Sequence, residues 1–263
     1  MNESDRSFNF NRRKNSIFLD GDMKRNGKDL LCSITGMEFV YVAGGEFYMG
    51  NNIGGGSICE RPVHKVTVDE FLIGKYPVTQ GEWKKIIGDN PSFHKLGDRY
   101  PVERVSWHDA QRFIQTINSL SNRKHRLPSE AEWEYACRSG GKDQKYSGGN
   151  NPDELAWFSP SNNNKKKKES TCQVGHLKPN DLGIFDMSGN VSEWVNDIYS
   201  FSYYSISSTN NPTGPSDGDC RVFRGGSWFS TEYDIRCVAR RFWYPDLKSC
   251  ALGFRVLLDI SEA

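Results

Sequence analysis

The chain is short of several things, and each shortage excludes something. Charge of one sign is the first: Lys and Arg total 34 against 33 Asp and Glu, a formal net charge of +1. Nucleic-acid binding normally needs a basic excess on one face, so no nucleic-acid partner is expected, nor long-range steering of a charged one. No apolar run approaches the ~18 residues that cross a bilayer, so no transmembrane segment is expected. The opening MNESDRSFNFNRRKN carries charge but no apolar centre, and is not read as a secretory leader. Seven cysteines are widely spaced with no Cys-x-x-Cys pair, which removes zinc-ribbon and thioredoxin-like readings. An odd count in a chain long enough to build its own core points to free thiols rather than a disulfide framework. There is no Gly-x-Ser-x-Gly elbow and no His-Glu-x-x-His, and the Gly/Asn loop at 51–56 lacks the Lys-Ser/Thr of a phosphate-binding loop. The five histidines are scattered, each best read as a surface or locally hydrogen-bonded residue.

What is present suffices for one large α+β domain: 263 residues, 36% of them hydrophobic. Residues 1–36 are polar and are expected to form a flexible or loosely docked arm, with the domain occupying 37–263. MEFVYVAGGEFYMG, from Met37, reads as two β-rich runs turned on a Gly-Gly pair, a hairpin expectation. HKVTVDEF alternates as a strand does, and Leu72 to Val78 also reads as extended. Thr79-x-x-Glu82 and Ser129-x-x-Glu132 are capping boxes that open helices. Ser106 caps a third, whose Ala110, Phe113, Ile114, Ile117 and Leu120 fall at helical spacing. Glu130, Glu132 and Glu134 alternate on a short helix; such acids are solvated or paired with Arg far more often than catalytic. The Asn/Lys-rich stretch 162–168 reads as a solvated insertion rather than a polybasic site.

The C-terminal stretch from Arg224 to Arg255 follows no helix or strand period. It is rich in Trp228, Phe229, Tyr233, Phe242, Trp243 and Tyr244, with Arg236, Arg240 and Arg241 among them. Large rigid aromatics beside Arg gain contact area at little rotamer cost, which is the make-up of binding hot spots. Core filling is the competing reading for each ring.

GGSW at Gly225, Arg-Cys-x-Ala-Arg at 236–240, Pro245-Asp246 and LGFR at 252–255 resemble the C-terminal signature of the formylglycine-generating enzyme (sulfatase-modifying factor) family. RLPSEAEWEYACR and DLGIFDMSGNVSEWVND match earlier signatures in the expected order. The resemblance runs from about Met37 to about Leu258 and implies a C-type lectin-like fold: much irregular structure, small β-sheets and two or three helices. Structural calcium is implied at the position of Asp186 and Glu193 carboxylates with Gly189 and Val191 carbonyls, a donor mix suited to a hard cation. A turn locked by Asn190 and Trp194 without metal is the alternative. Enzymes of the family hold copper on two cysteines shortly after the Gly-Gly-Ser, because soft thiolates suit Cu(I). Here the first of those positions is Ser230, and no cysteine lies between Thr231 and Ile235, so the resemblance implies a non-enzymatic member with no catalytic residues. Nor are the Glu-Pro-Asn and Trp-Asn-Asp motifs of sugar-binding lectins present.

The same stretch resembles, more specifically, the variable region of proteins diversified by retroelements (the Treponema variable protein type). There, mutated adenines of Asn codons yield Phe, Ser, Tyr, Asp, Ile, Thr, Arg, Cys, Ala or Leu. Phe229, Ser230, Thr231, Tyr233, Asp234, Ile235, Arg241, Phe242, Tyr244, Leu247, Ser249, Cys250 and Ala251 belong to that set; Glu232, Trp243 and Lys248 do not. With Trp243 added on chemical grounds, these form the expected ligand-binding set, in a variable region of about 228–255. The reading is a receptor-like protein that binds varied protein or surface ligands, of open oligomeric state with a monomer favoured, displayed at a bacterial cell surface. A formylglycine-type oxidase or accessory factor acting on a sulfatase cysteine is the alternative function, and the cytoplasm the alternative address.

Overall fold

The computed structural model describes residues 23–26, 29–52, 54–161 and 168–260. Three sheets and a few short helices are joined by long irregular connections. The largest is a curled six-stranded sheet in the order β1 (Met23–Asn26), β2 (Asp29–Cys32), β3 (Glu38–Val42), β6 (Phe71–Gly74), β12 (Leu257–Asp259) and β7 (His125–Arg126). A four-stranded sheet follows the order β10 (Arg240–Trp243), β9 (Arg221–Arg224), β8 (Ser192–Ile198) and β11 (Leu252–Phe254). β4 (Gly45–Met49) and β5 (His64–Val68) form a separate two-stranded ribbon. Helices α1 (Gln80–Ile87), α2 (Trp107–Leu120), α3 (Glu130–Cys137) and the single turn α4 (Pro152–Leu155) complete the elements that position the site. This is a mixed α+β fold with much irregular structure.

The helix starts form as their sequences dictate. Thr79, Ser106 and Ser129 each accept from the N3 amide while the N3 acid reaches back to the cap, three complete capping boxes. The apolar stripe of α2 buries Ala110, Phe113, Ile114 and Ile117. Phe113 stacks on Trp83 of α1 at 5.4 Å, and Phe254 of β11 meets both rings edge-on. The LGFR motif therefore plugs the C-terminus into the core. Its Gly253 is required by close approach, since a Cβ there would lie 2.4 Å from the Val102 carbonyl oxygen.

Two expectations are corrected. β3 and β4 are strands, but they do not pair: β3 lies between β2 and β6, whereas β4 pairs with β5. At Gly44 the chain passes hard against the connection from β5 to β6, where a Cβ would sit 2.7 Å from the Val68 oxygen, and is diverted into a different sheet. The boundary at Met37 also fails. β1 and β2 extend the large sheet, and Met23, Leu30 and Cys32 are buried in its core. Two four-residue strands, the second ending at Cys32, carried too little periodicity to be seen. The expected arm over 1–22, and residues 162–167 of the Asn/Lys stretch, lie outside the described residues.

Candidate ligand-binding surface

The segment after β9 is fixed by its backbone and by buried arginines. Gly225 and Gly226 have φ of +89° and +63°, a left-handed path that side chains resist, and a Cβ on Gly226 would meet the Asp234 oxygen at 2.9 Å. Trp228 turns inward, donating its indole N–H to the Cys250 carbonyl at 3.1 Å, while its own carbonyl accepts from Ser159 Oγ at 2.8 Å. Arg236 grips Glu60 with two bonds of 3.0 and 2.8 Å. Arg240 grips Glu130 with bonds of 2.8 and 2.6 Å, and Arg224 bridges Glu130 and Glu134. Arg255 closes the far end on Glu193. The two carboxylates Glu130 and Glu134 are thus paired with Arg, and Glu132 is paired with Arg126 at 2.6 Å. Burial alone would push Glu130 up, but Arg240 and Arg224 hold it below the usual carboxylate range.

Between these anchors the aromatic side chains face solvent. Phe229 is 72% exposed, Tyr244 61%, Trp243 53%, Phe242 42% and Tyr233 41%, values that rule out core filling for all five. Of the six rings singled out from the sequence, Trp228, at 9%, is the one that is core. Phe242 has one face covered by Tyr199, the rings stacked at 3.7 Å. Arg241 pairs with Asp234 and leans over Tyr233. Ser230, Thr231, Ser249, Cys250 and Ala251 are partly exposed around them. Ile235 does not belong to this set: it is fully buried against Tyr146, Ala156 and Phe158, so its β-branched side chain is packing. Leu247, half-buried, packs against the large core and is likewise an anchor more than a contact residue. Arg236 and Arg240, counted among the contact-making side chains, are structural.

Sequence reasoning missed Phe93. It is 66% exposed and begins a chain of edge contacts, Phe93 to His94 at 5.0 Å, His94 to Trp228 at 5.3 Å and Trp228 to Phe229 at 5.6 Å. An exposed aromatic after Asn90-Pro91-Ser92 was the available signal, since a turn residue cluster keeps the next side chain out of any helix face. Beneath it Glu103 is buried. One carboxylate oxygen accepts the His94 amide at 2.7 Å, the other has no partner, and burial pushes its pKa up to about 7.

At the first copper position of the enzymes, the Ser230 hydroxyl accepts from the Ser227 amide at 3.0 Å. Cys137 and Cys237 face each other at 3.2 Å in full burial, which pushes the Cys237 thiol well up and away from the nucleophilic thiolate. Cys250 is also raised, first by burial and then by the nearby Glu103 charge. Among the described residues no three His, Cys, Asp or Glu side chains converge as a metal site. Of the implied calcium donors, Asp186 fits best. Burial raises it to about 6 although it accepts the Gly175 amide at 2.8 Å and a bond from the Asn190 side chain, and no ion pair to it exists among the described residues. Glu193 is already committed to Arg255 and to the Trp133 indole N–H, so calcium would rest on Asp186 with the Gly189 and Val191 carbonyls.

Fold and site together define a class: a mixed α+β scaffold that holds a solvent-facing, aromatic C-terminal segment on buried arginine–glutamate pairs. The chain belongs to the family of sulfatase-modifying factor enzyme 1-like domains, whose sequence pattern matches residues 31–260. It is 36% identical over 218 residues to the chaperone protein LppX of Paenibacillus barcinonensis, covering 63% of this chain and 72% of that one. It is 34% identical over 196 residues to the formylglycine-generating enzyme of Mus musculus, 70% of this chain and 50% of the enzyme. Among solved structures, Treponema denticola variable protein 1 superposes with a TM-score of 0.77 at 28% identity, over 89% of this chain and 99% of that one. Several curated relatives are longer: the chain spans 38% of a serine/threonine-protein kinase of Chlamydia trachomatis that it also resembles. No helix among the described residues is long and apolar enough to cross a membrane.

Proposed function

We propose that the protein is a C-type lectin-like binding module that recognises a protein ligand through the exposed aromatics of residues 229–244, at a cell surface. One observation carries the reading: five large rings stay in solvent while every arginine of the motifs flanking them is spent on buried ion pairs. A scaffold that fixes the backbone independently of its loop side chains lets those side chains change. Likeness to the Treponema variable protein supports diversification of this segment by a retroelement. Sequencing the 3′ end of the gene and its downstream flank tests it. A near-copy of the coding segment, differing at template adenines, is expected; a flank without repeat or variation defeats the diversification reading.

A second reading is favoured by the identity to formylglycine-generating enzymes, and makes the protein an oxidase or accessory factor acting on a sulfatase cysteine. Ser230 weighs against copper chemistry of that kind, because a hydroxyl cannot replace a thiolate at Cu(I). Copper-dependent oxygen uptake on a cysteine-containing sulfatase peptide would establish this second reading.

A further inference from the structure

Beside the aromatic segment lies a cleft of about 460 Å³, walled on one side by Tyr233 and Arg236 and on the other by the glycine loop 54–56. We propose that this cleft receives a carboxylate group of the protein ligand, an acidic side chain laid against Tyr233. The inference rests on the binding reading above and gives it a chemistry.

Several polar groups around the cleft are hydrogen-bond donors with no partner among the described residues. The amides of Gly54, Gly55 and Gly56 donate to no acceptor among the described residues, while the Gly55 carbonyl accepts from Asn51 Nδ2 at 2.8 Å and Arg61 at 3.3 Å. A Cβ on Gly54 or Gly55 would meet nothing within 4 Å, so packing does not demand glycine there; the left-handed backbone, at φ +78° and +62°, does. Successive amides in such a turn are suited to a concave anion site. Asn150 has given its Oδ1 to the Lys145 amide at 3.1 Å, which leaves its NH2 group to donate.

Charge points the same way. Lys145 has no carboxylate partner among the described residues; its ammonium lies 5.3 Å from the Tyr146 ring. Arg236 forms the back wall and is neutralised by Glu60, and Gly56 has no Cβ because one would fall 2.2 Å from that carboxylate. The single acid on the rim, Asp143, is held by Arg138 at 3.5 Å and by Asn52 at 3.3 Å. One uncompensated positive charge with several neutral donors matches a monoanion better than a phosphate dianion. Tyr233, with the Arg236 guanidinium 4.3 Å from its ring centroid, supplies a wall from the diversified segment, so that a fixed pocket for charge abuts a changeable surface for shape.

The probe is propionate, which reproduces a glutamate side chain, titrated into the 15N-labelled protein at constant ionic strength. Saturable shifts of the amide resonances of Gly54, Gly55 and Gly56 and of the Asn150 side chain are expected, with none from propionamide. Lys145 is exposed, so Lys145→Met should fold normally and weaken propionate at least fivefold. Absence of saturable shifts, equal shifts with propionamide, or undiminished binding in Lys145→Met would overturn the proposal. So would inorganic phosphate binding more tightly than propionate. Failure of the wider reading looks different: propionate would still bind, while replacing Trp243 would leave capture of a protein ligand intact.

Discussion

Arg240 and Glu130 stand 110 positions apart in the chain and meet as a bidentate pair, Nε to Oε1 at 2.8 Å and Nη2 to Oε2 at 2.6 Å, with both side chains out of solvent. The pair ties the start of β10 to the first turn of α3, and through Arg224 to β9. Removing one partner leaves a buried charge uncompensated, which costs about 3–5 kcal/mol. Glu130 keeps its bond to Arg224, so Arg240→Met is expected to lower the unfolding free energy, read from urea melts, by up to that order. Glu130→Gln should cost a comparable amount by stranding the Arg240 guanidinium, while Arg224 keeps Glu134, and the double variant less than the sum of the singles.

The exposed rings predict the opposite outcome. Phe229→Ala, Trp243→Ala and Tyr244→Ala remove rings that lie mostly in solvent, Phe229 meeting the buried Trp228 only edge-on, and surface changes of that sort usually stay within about 0.5 kcal/mol. Binding of the cognate ligand, once captured, should drop at least tenfold for Trp243→Ala in surface-plasmon measurements while the melting temperature holds. Phe242→Ala is the exception in the row. It removes a ring stacked on Tyr199, and should cost stability as well as binding. Large losses of stability for Phe229, Trp243 and Tyr244 would make them core residues and end the binding proposal.

Much of this was legible in the sequence because it is written locally. Capping boxes and the helical stripe of α2 depend on residues within a few positions of one another. The order of the family motifs also led to the mixed α+β class and to the aromatic segment. What stayed hidden is what depends on distant partners. Nothing near Gly44 says that β3 and β4 enter different sheets, because the obstacle is the backbone after Val68. Ile235 has the same apolar, codon-permitted look as its neighbours, and only the approach of Tyr146 and Phe158 makes it core. Arg236 and Arg240 resemble hot-spot arginines until Glu60 and Glu130 arrive from far up the chain.

Calcium makes a separate prediction at Asp186. A buried carboxylate raised to about 6 gains from any cation placed against it. At neutral pH, millimolar calcium should raise the melting temperature by a few degrees, as binding to the native state alone requires. Asp186→Asn should abolish the rise without removing the Gly175 amide bond, since the amide oxygen can accept it. Isothermal calorimetry showing no calcium heat with the unaltered protein would assign neutralisation of this site to Arg255 instead.

Glu103 gives the stability of the protein a pH dependence under the aromatic surface. Its folded-state pKa, about 7, lies above the usual Glu value of 4.5 because burial disfavours the carboxylate, partly offset by the amides of His94 and Phe93 and by Arg104. The folded state thus holds this proton more tightly than the unfolded chain does. Its contribution is most favourable below about 4.5 and is lost as pH rises through about 7. Glu103→Gln keeps an oxygen for the His94 amide and cannot ionise. Relative to that variant, the unaltered protein should lose stability between pH 5 and pH 8, at about 1.4 kcal/mol for each unit separating the two pKa values. Urea midpoints of both proteins at the two pH values measure it. Parallel curves would mean that the free carboxylate oxygen finds a partner when ionised and that Glu103 carries no strain beneath Phe93.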